Sequence, residues 1–281
     1  MKKLLLIFNF LLVTALAFSQ GSMTICHTSA TDKFAAFASN ADFNAEHPLP
    51  RMYTHISQEG GKMVAFKTPD GLEAKGYFLQ AKTKTNNWVF VFQEWWGLND
   101  NIKRQSEQLY KDLGNVNVLA LDMYDGKLAT DRENAGKFMQ EFKQERGDQI
   151  VKGALAYAGK NAKVGTVGWC FGGGQSLQAS LNLGAQAAGC VIYYGMPVDD
   201  VERLKTLKPD VLGIFASREK YISPEVVNKF ESNMKAAGKN LIVKSYDAEH
   251  GFANPSAPIY NKEAADDAWK LTLEFFKKRL I

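Results

Sequence analysis

The sequence predicts one α/β domain, built on a mostly parallel, doubly wound sheet with helices on both faces. After an antiparallel start, short apolar runs alternate with longer segments of helical spacing, which is the pattern of such sheets. No repeat, low-complexity tract or linker divides the chain that follows the first few residues. With 281 residues, 46% of them hydrophobic, the chain is long and apolar enough to bury one sizeable core.

The N-terminus has the pattern of a secretory signal peptide. Two lysines precede an apolar stretch over Leu4–Phe18, and the tripeptide that ends at Ser19 is a small-x-small cleavage site. We therefore expect residues 1–19 to be removed and the protein to reach the bacterial periplasm or the medium. The apolar stretch is short for a bilayer span and is interrupted by Asn9, so we expect no stable membrane anchor.

Residues 20–60 are weakly patterned and hold a short helical segment around Phe34–Phe43 and a proline-containing link. We expect this N-terminal segment to wrap the outside of the main domain, residues 61–281. Its histidines, His27, His47 and His55, are interpreted as structural or solvated.

Apolar β-rich runs and helical spacing place the elements of the main domain. The predicted strands are 63–67, 74–79, 87–93, 117–122, 163–167, 187–194, 211–216 and 241–246. The first two form a hairpin around Pro69-Asp70-Gly71. The predicted helices are 100–113, 131–160 with a break near Gly147, 175–183, 198–206, 224–237 and 261–280.

Charge and cysteine content restrict the partners. The net charge is +4 without a cluster of Lys and Arg, so we expect no nucleic-acid partner, and a monomer that acts on a small molecule. Of the three cysteines, Cys190 lies in an apolar run where a free buried thiol is expected. A Cys26–Cys190 disulfide is the less favoured alternative.

The third cysteine lies in a strand-turn-helix sequence, Gly168-Trp169-Cys170-Phe171-Gly172. This is the G-x-nucleophile-x-G pattern of a nucleophile elbow, in which the strained turn needs glycine two positions to either side. A helix that starts just after the turn aims its N-terminal amides at the sulfur and favours the thiolate. The alternative is a buried structural cysteine beside a glycine-rich turn.

A cysteine nucleophile needs a base and an acid that orients the base, and doubly wound hydrolases carry them in the order nucleophile, acid, histidine. His250 is the one histidine after Cys170, and it follows the last predicted strand. Glu219 is the one carboxylate between the strand 211–216 and the next helix. The alternatives are a satisfied surface histidine and a solvated glutamate paired with Arg218 or Lys220.

The loop after the strand 87–93 completes the predicted site. Backbone N–H groups of Trp95 and Phe171 are placed to hold an oxyanion. Glu94 lies among aromatic residues at the sheet edge, where a carboxylate near the thiol could accept or release its proton.

Three motifs together resemble the dienelactone hydrolase family: Gln93-Glu94-Trp95-Trp96-Gly97, Gly168-Trp169-Cys170-Phe171-Gly172-Gly173 and Glu249-His250-Gly251-Phe252. The resemblance runs from about Gly61 to the C-terminus. It implies an α/β-hydrolase fold and a Cys–His–Asp triad with Cys170 as nucleophile and His250 as base, without metal or organic cofactor. It also implies that Glu94 hydrogen-bonds the resting thiol and that Trp95 and Phe171 form the oxyanion hole.

The sequence departs from the family pattern at two places. The acid position carries Glu219 instead of aspartate, and Lys127 and Asn254 stand where the dienelactone enzymes have substrate-binding arginines. Lysine does not replace the arginine fork, so we expect an ester or lactone other than dienelactone. Together with Lys127 and Asn254, Trp96 and Tyr124 are the predicted substrate-binding residues.

The resulting hypothesis is an exported hydrolase that cleaves a small carboxylic ester or lactone through a Cys–His–acid triad and a thioester acyl-enzyme. Transfer of the acyl group to an acceptor other than water is an alternative, because both reactions share the acyl-enzyme. A non-catalytic binding protein that keeps the fold is another, motivated by Glu219 and the missing arginines. A thiol redox protein is disfavoured, since no second cysteine lies near Cys170 in the sequence.

Overall fold

The sheet of the protein has eight strands in the computed structural model, which describes residues 29–281. The strands are β1 (Lys62–Lys67), β2 (Glu73–Leu79), β3 (Asn87–Phe92), β4 (Asn117–Leu121), β5 (Lys163–Trp169), β6 (Ala187–Tyr193), β7 (Val211–Ala216) and β8 (Leu241–Tyr246). Their order across the sheet is β1-β2-β4-β3-β5-β6-β7-β8. Strand β2 is antiparallel to both neighbours, and the remaining strands are parallel. The predicted fold class is confirmed.

Helices cover both faces of this sheet. They are α1 (Ala30–Ala36), α2 (Ala41–Ala45), α3 (Asp100–Leu113), α4 (Arg132–Glu141), α5 (Gln144–Ala158), α6 (Phe171–Asn182), α7 (Val201–Lys205), α8 (Pro224–Ala236) and α9 (Lys262–Arg279). Helices α3 and α9 pack together, joined by a 2.7 Å hydrogen bond from Trp269 Nε1 to Asp112. Helices α5 and α6 also pack together, and α6 lies against β3, β5 and β6.

The ends of these elements follow local chemistry. The side chain of Asn99 caps α3 by accepting the N–H of Ile102, and that of Asn261 caps α9 by accepting the N–H of Ala264. The predicted hairpin of β1 and β2 is confirmed, with Gly71 at φ 83° in its turn. Each parallel strand of the core is almost wholly apolar, as expected for strands covered on both faces.

The break in the long helical stretch is not at Gly147, as the sequence suggested. It lies at Phe142 and Lys143, both of which have extended backbone between α4 and α5. Gly147 is inside α5, where a side chain would come within 2.6 Å of the Phe142 ring. The glycine is therefore explained by close packing and not by a helix end.

The N-terminal segment packs against the main domain through buried aromatic side chains. Phe34 and Phe43 are buried, and the Phe43 ring lies edge-on to Trp95 with centroids 5.7 Å apart. Lys220 forms an ion pair of 3.5 Å with Glu46. Burial of these aromatic side chains removes apolar surface from water, and they are buried at the edge of the sheet where the parallel strands end.

The predicted signal peptide, like Cys26 and His27, lies outside the described residues. Between residues 29 and 281, none of the helices is both long and apolar enough to cross a membrane.

Candidate active site

Cys170 occupies the turn between β5 and α6 in a conformation that few side chains adopt. Its φ is 58° and its ψ −121°, which is left-handed backbone and strained for a residue other than glycine. The turn is possible because its neighbours lack side chains. A Cβ on Gly168 would lie 2.1 Å from the carbonyl oxygen of Gly172, and one on Gly172 would lie 2.3 Å from that of Phe92. The strand-turn-helix geometry is that of a nucleophile elbow.

Trp95 lines the cavity with Cys170 and Phe171 follows Cys170 directly, so their amides are the candidates for an oxyanion hole. Neither N–H is among the hydrogen-bond donors of the turns and loops of the described chain. Phe171 is the first residue of α6, so its amide shares the positive end of the helix dipole with the sulfur. The arrangement can stabilise negative charge next to Cys170.

Glu219 and His250 meet at the same edge of the sheet, because the loops after β7 and β8 are tied to each other. The N–H of Ser217 donates to Tyr246, and that of Arg218 donates to Ala248, so the two loops run side by side. Glu219 Oε1 lies 2.8 Å from His250 Nδ1, and both side chains are almost fully buried. Neither ring nitrogen of His250 has a hydrogen-bond partner. The short contact between Nδ1 and Glu219 therefore does not have the angle of a good hydrogen bond.

The charges of this cluster act on the proton of the thiol. Burial raises the pKa of Cys170, although the charge of His250 opposes the rise. Burial alone lowers the pKa of His250, but the charges of Glu219 and Cys170 outweigh it and hold that pKa well above its ordinary value. Glu219 therefore makes His250 a base strong enough to take the proton of a buried thiol.

Glu94 lies 5% exposed in the cavity beside Cys170 and is held from behind. Its Oε2 accepts a 2.8 Å hydrogen bond from Asn254 Nδ2. Asn254 is fixed in turn, because its Oδ1 accepts from the Nδ2 of Asn101 and from the N–H and hydroxyl of Ser256. Burial raises the pKa of Glu94 to about 7, despite the charge of His250 and the bond from Asn254. Glu94 can therefore gain or lose a proton near neutral pH.

Residues 74–280 match the sequence profile of the dienelactone hydrolase family. The chain belongs to that family. It is 29% identical over 233 residues to "Protein usf" of Aquifex pyrophilus, and the aligned region covers 78% of this chain and 99% of the relative. It is 28% identical over 156 residues to "Carboxymethylenebutenolidase" of Pseudomonas sp. strain P51, which spans 52% of this chain and 63% of the relative. The fold is similar to that of the dienelactone hydrolase-like promiscuous phosphotriesterase P91 from metagenomic libraries, with a TM-score of 0.68 and 21% identity over 79% of this chain and 99% of that one.

As a member of the dienelactone hydrolase family, the protein is a carboxylic ester or lactone hydrolase. The family match starts at residue 74, so the N-terminal segment lies outside it. The site has a histidine from that segment which the sequence did not suggest as functional. His47 was interpreted as structural or solvated, but it is 6% exposed and its Nε2 lies 3.6 Å from Cys170 Sγ. Its ring is 4.4 Å from the ring of His250, measured between centroids.

The sequence contains a signal that the segment before His47 is buried, but not one that places His47 beside Cys170. Phe34, Phe37 and Phe43 recur at spacings that indicate an apolar face on the short helices before His47. They predict that the segment docks, but not on which part of the domain. The histidine reaches Cys170 because Phe43 and Tyr221 pack edge to face, which brings the segment onto the loop that carries Glu219.

The predicted substrate-binding residues of this family member are only partly brought together. Trp96 and Asn254 line the cavity beside Cys170. Tyr124 is buried with its ring 5.3 Å from that of Phe171, and its hydroxyl has no hydrogen-bond partner. Neither Tyr124 nor Lys127 lines that cavity, and both line a second one. The ammonium group of Lys127 forms a 2.8 Å ion pair with Glu141 at the surface.

A cavity opens beside Cys170. His47, Pro48, Trp95, Trp96 and Ile259 are among its walls. No lysine or arginine of the described chain lines it.

The raised pKa of Glu94 predicts a pH-dependent cost in stability. Between pH 4.5, the ordinary pKa of a glutamate, and about pH 7, Glu94 is protonated in the folded state but ionised in the unfolded chain. The free energy of unfolding therefore falls as pH rises through that range. Glu94→Gln, which mimics the neutral acid, is expected to raise the free energy of unfolding by about 2 to 3 kcal/mol at pH 8. Urea denaturation measures it, and the difference should vanish below about pH 4.5.

Glu107→Gln is the matched control, because Glu107 is another buried glutamate whose pKa is lowered instead of raised. Burial raises its pKa, but hydrogen bonds from Ser57 and the amides of Glu59 and Gln58 outweigh burial and lower the pKa. This variant should lose stability at pH 8. A Glu94→Gln effect of equal size at pH 4 and pH 8 would contradict the raised pKa.

Proposed function

We propose that the protein is an exported hydrolase that cleaves a small carboxylic ester or lactone through a thioester acyl-enzyme. One observation carries the proposal: Cys170 sits on an elbow at the sheet edge where His250 and Glu219 lie 2.8 Å apart. Nucleophile, base and acid also follow one another along the chain in the order that α/β-hydrolases use. Export is supported by the pattern of residues 1–19, and the protein acts as a monomer in this proposal.

In the first half of the reaction, the thiol proton of Cys170 moves to His250 Nε2 while the sulfur bonds to the carbonyl carbon. The carbonyl oxygen becomes negative, and the amides of Trp95 and Phe171 hold it. When the intermediate collapses, the C–O bond to the alcohol breaks and the leaving oxygen takes the proton from His250. A thioester on Cys170 remains.

In the second half, His250 takes a proton from water, and the hydroxide attacks the thioester carbonyl. The C–S bond then breaks, the carboxylic acid leaves, and the proton returns from His250 to the sulfur. Glu219 stabilises the imidazolium in both halves through its contact with Nδ1. Each step uses groups that the chain itself supplies.

The walls of the cavity support a small, uncharged substrate. No lysine or arginine of the described chain is available there to pair with a substrate carboxylate, because Lys127 is engaged by Glu141. The bulky side chains of Trp95, Trp96 and Ile259 among its walls favour a substrate of small size.

Acyl-enzyme trapping tests the proposal. The purified protein is mixed with p-nitrophenyl esters of increasing chain length, quenched in acid within milliseconds, and examined by intact and peptide mass spectrometry. We expect the mass of one acyl group on Cys170, released by hydroxylamine. Cys190→Ala is the matched control, since Cys190 is the other buried free thiol of the described chain, and it should acylate like the wild type.

The same experiment separates the alternatives. Ester products formed with competing alcohols, in preference to the acid, would favour acyl transfer. No acyl adduct and no turnover with any ester or lactone would favour the binding protein. Turnover that survives without an adduct on Cys170 would overturn the thioester mechanism.

A further inference from the structure

Three side chains with strong metal-ligating atoms converge in the cavity. His47, Cys170 and His250 are all buried, and one ligand atom from each lies within 4.8 Å of the others. Thiolate sulfur and imidazole nitrogen are among the ligands that bind Zn²⁺, and zinc sites with three protein ligands keep an open fourth position. No other group of three or more His, Cys, Asp or Glu side chains in residues 29–281 comes together in this way.

The hydrogen bond of His47 fixes which of its nitrogens faces the sulfur. Nδ1 lies 2.7 Å from the carbonyl oxygen of Phe43, which only accepts hydrogen bonds, so Nδ1 carries the proton. Nε2 therefore points a lone pair at Cys170 Sγ, 3.6 Å away. A metal-bound histidine is oriented in this way, by donating its second N–H to an oxygen.

His250 faces a carboxylate through its Nδ1. That atom lies 2.8 Å from Glu219 Oε1, although the geometry is not that of a hydrogen bond, and Nε2 has no hydrogen-bond partner although the side chain is 2% exposed. A carboxylate beside one ring nitrogen strengthens metal binding by the other. Two imidazoles, one held by a hydrogen bond of its Nδ1 and one beside a carboxylate, thus flank a single sulfur.

One thiol proton can serve only one of two imidazole acceptors. The second acceptor then faces the lone pairs of the sulfur, which is unfavourable in a buried site. A cation between the three atoms accepts all of these lone pairs at once. One distance agrees: a sulfur ligand at about 2.3 Å and a nitrogen ligand at about 2.0 Å around a tetrahedral ion are about 3.5 Å apart, and Sγ and His47 Nε2 are 3.6 Å apart.

We propose that His47, Cys170 and His250 bind one Zn²⁺ ion, and that this ion switches the hydrolase off. Binding replaces the S–H bond of Cys170 by a Zn–S bond and releases the thiol proton to solvent, with no change of oxidation state. The ion then occupies both the nucleophile and its base. It also ties His47, and with it the N-terminal segment, across the entrance of the cavity. Metal binding does not depend on the proposed function, whereas the loss of activity does.

Cobalt spectroscopy tests the binding without any activity measurement. The purified full-length protein, freed of metal by a chelator, is titrated with Co²⁺. We expect one equivalent to give a thiolate-to-cobalt charge-transfer band in the near ultraviolet and intense visible bands of four-coordinate cobalt. Competition with a chromophoric chelator then gives the Zn²⁺ dissociation constant.

Variants assign the ligands. His47→Phe keeps an aromatic ring against Phe43 and Trp95 but removes the nitrogen, and His47→Gln provides a second test if the first variant folds poorly. Even loss of a residue that only supports a zinc ligand weakens binding 10- to 100-fold, so loss of the ligand itself should weaken Zn²⁺ binding by about 100-fold or more. His55→Gln is the matched control, because His55 belongs to the same segment but contacts Glu107 outside the cavity.

Each outcome has a clear meaning. Unchanged zinc affinity in both His47 variants, or a cobalt spectrum without the sulfur band, would overturn the three-ligand site. If zinc binds as expected and abolishes ester hydrolysis in proportion to occupancy, the inhibitory role is supported. If zinc binds but the metal-free protein has no hydrolytic activity, the metal site stands and the proposed function fails.

Discussion

Cys170→Ala is expected to lower kcat/KM for ester hydrolysis by at least about 10⁴-fold, because it removes the sulfur on which the proposed acyl-enzyme forms. His250→Ala should have a loss of similar size, since a buried thiol is not deprotonated without its base. The residual rate comes from the amides of Trp95 and Phe171, which remain in both variants. The double variant should therefore be little worse than either single one.

The measurement is steady-state hydrolysis of the best p-nitrophenyl ester by wild type, both single variants and the double variant. Circular dichroism and urea denaturation show that each is folded. Cys190→Ala is again the control and should retain activity within about twofold, because Cys190 lies in β6 and contacts Ser176 and not the cavity. Additive losses in the double variant would contradict a dyad that acts as one unit.

The proximity of the candidate site residues was predictable because they occupy local positions that topology brings together. Cys170, Glu219 and His250 each follow a parallel strand within a few residues. The carboxyl ends of parallel strands share one edge of the sheet, so the strand assignments alone place all three in one region. Short loops leave little freedom for the side chains, and the observed contact between Glu219 and His250 follows.

His47 was not predictable in the same way. It belongs to no strand, and its approach to Cys170 depends on how a weakly patterned segment packs against a surface far away in sequence. The sequence indicates that Phe43 is apolar but carries no register for its docking. The ion pair of Lys127 with Glu141 likewise depends on the course of the loop after β4, which the sequence pattern does not specify.

The N-terminal segment lies outside the part of the chain that matches the family. The match begins at residue 74, after the segment has already contributed His47 to the wall beside the nucleophile. Phe43, His47 and Trp95 form one aromatic cluster, so the residue proposed for the oxyanion hole packs against the segment. Access to the nucleophile, and any metal bound there, depends on residues that the family pattern does not describe.

Gly172→Ala is expected to cost about 3 kcal/mol or more of the free energy of unfolding, and to abolish activity. An alanine Cβ there would lie 2.3 Å from the carbonyl oxygen of Phe92 and 2.4 Å from that of Gln93. Both neighbours are backbone atoms at the end of β3, and backbone does not move aside as a flexible side chain does. The clash must separate α6 from β3 or break the elbow, which belongs to the most damaging class of core substitutions.

Gly174→Ala, two residues further along the same helix, is the matched control. Its Cβ would meet the Met196 oxygen at 3.2 Å, a tight contact that a small shift relieves, and alanine gains up to about 1 kcal/mol in helix propensity over glycine. Urea denaturation of both variants should give a difference of several kcal/mol, with the Gly174 variant near wild type. Equal stabilities would mean that α6 can retreat from β3 without cost. In that case the Cys170 turn would owe its strained conformation to something other than the close approach of α6 to the end of β3.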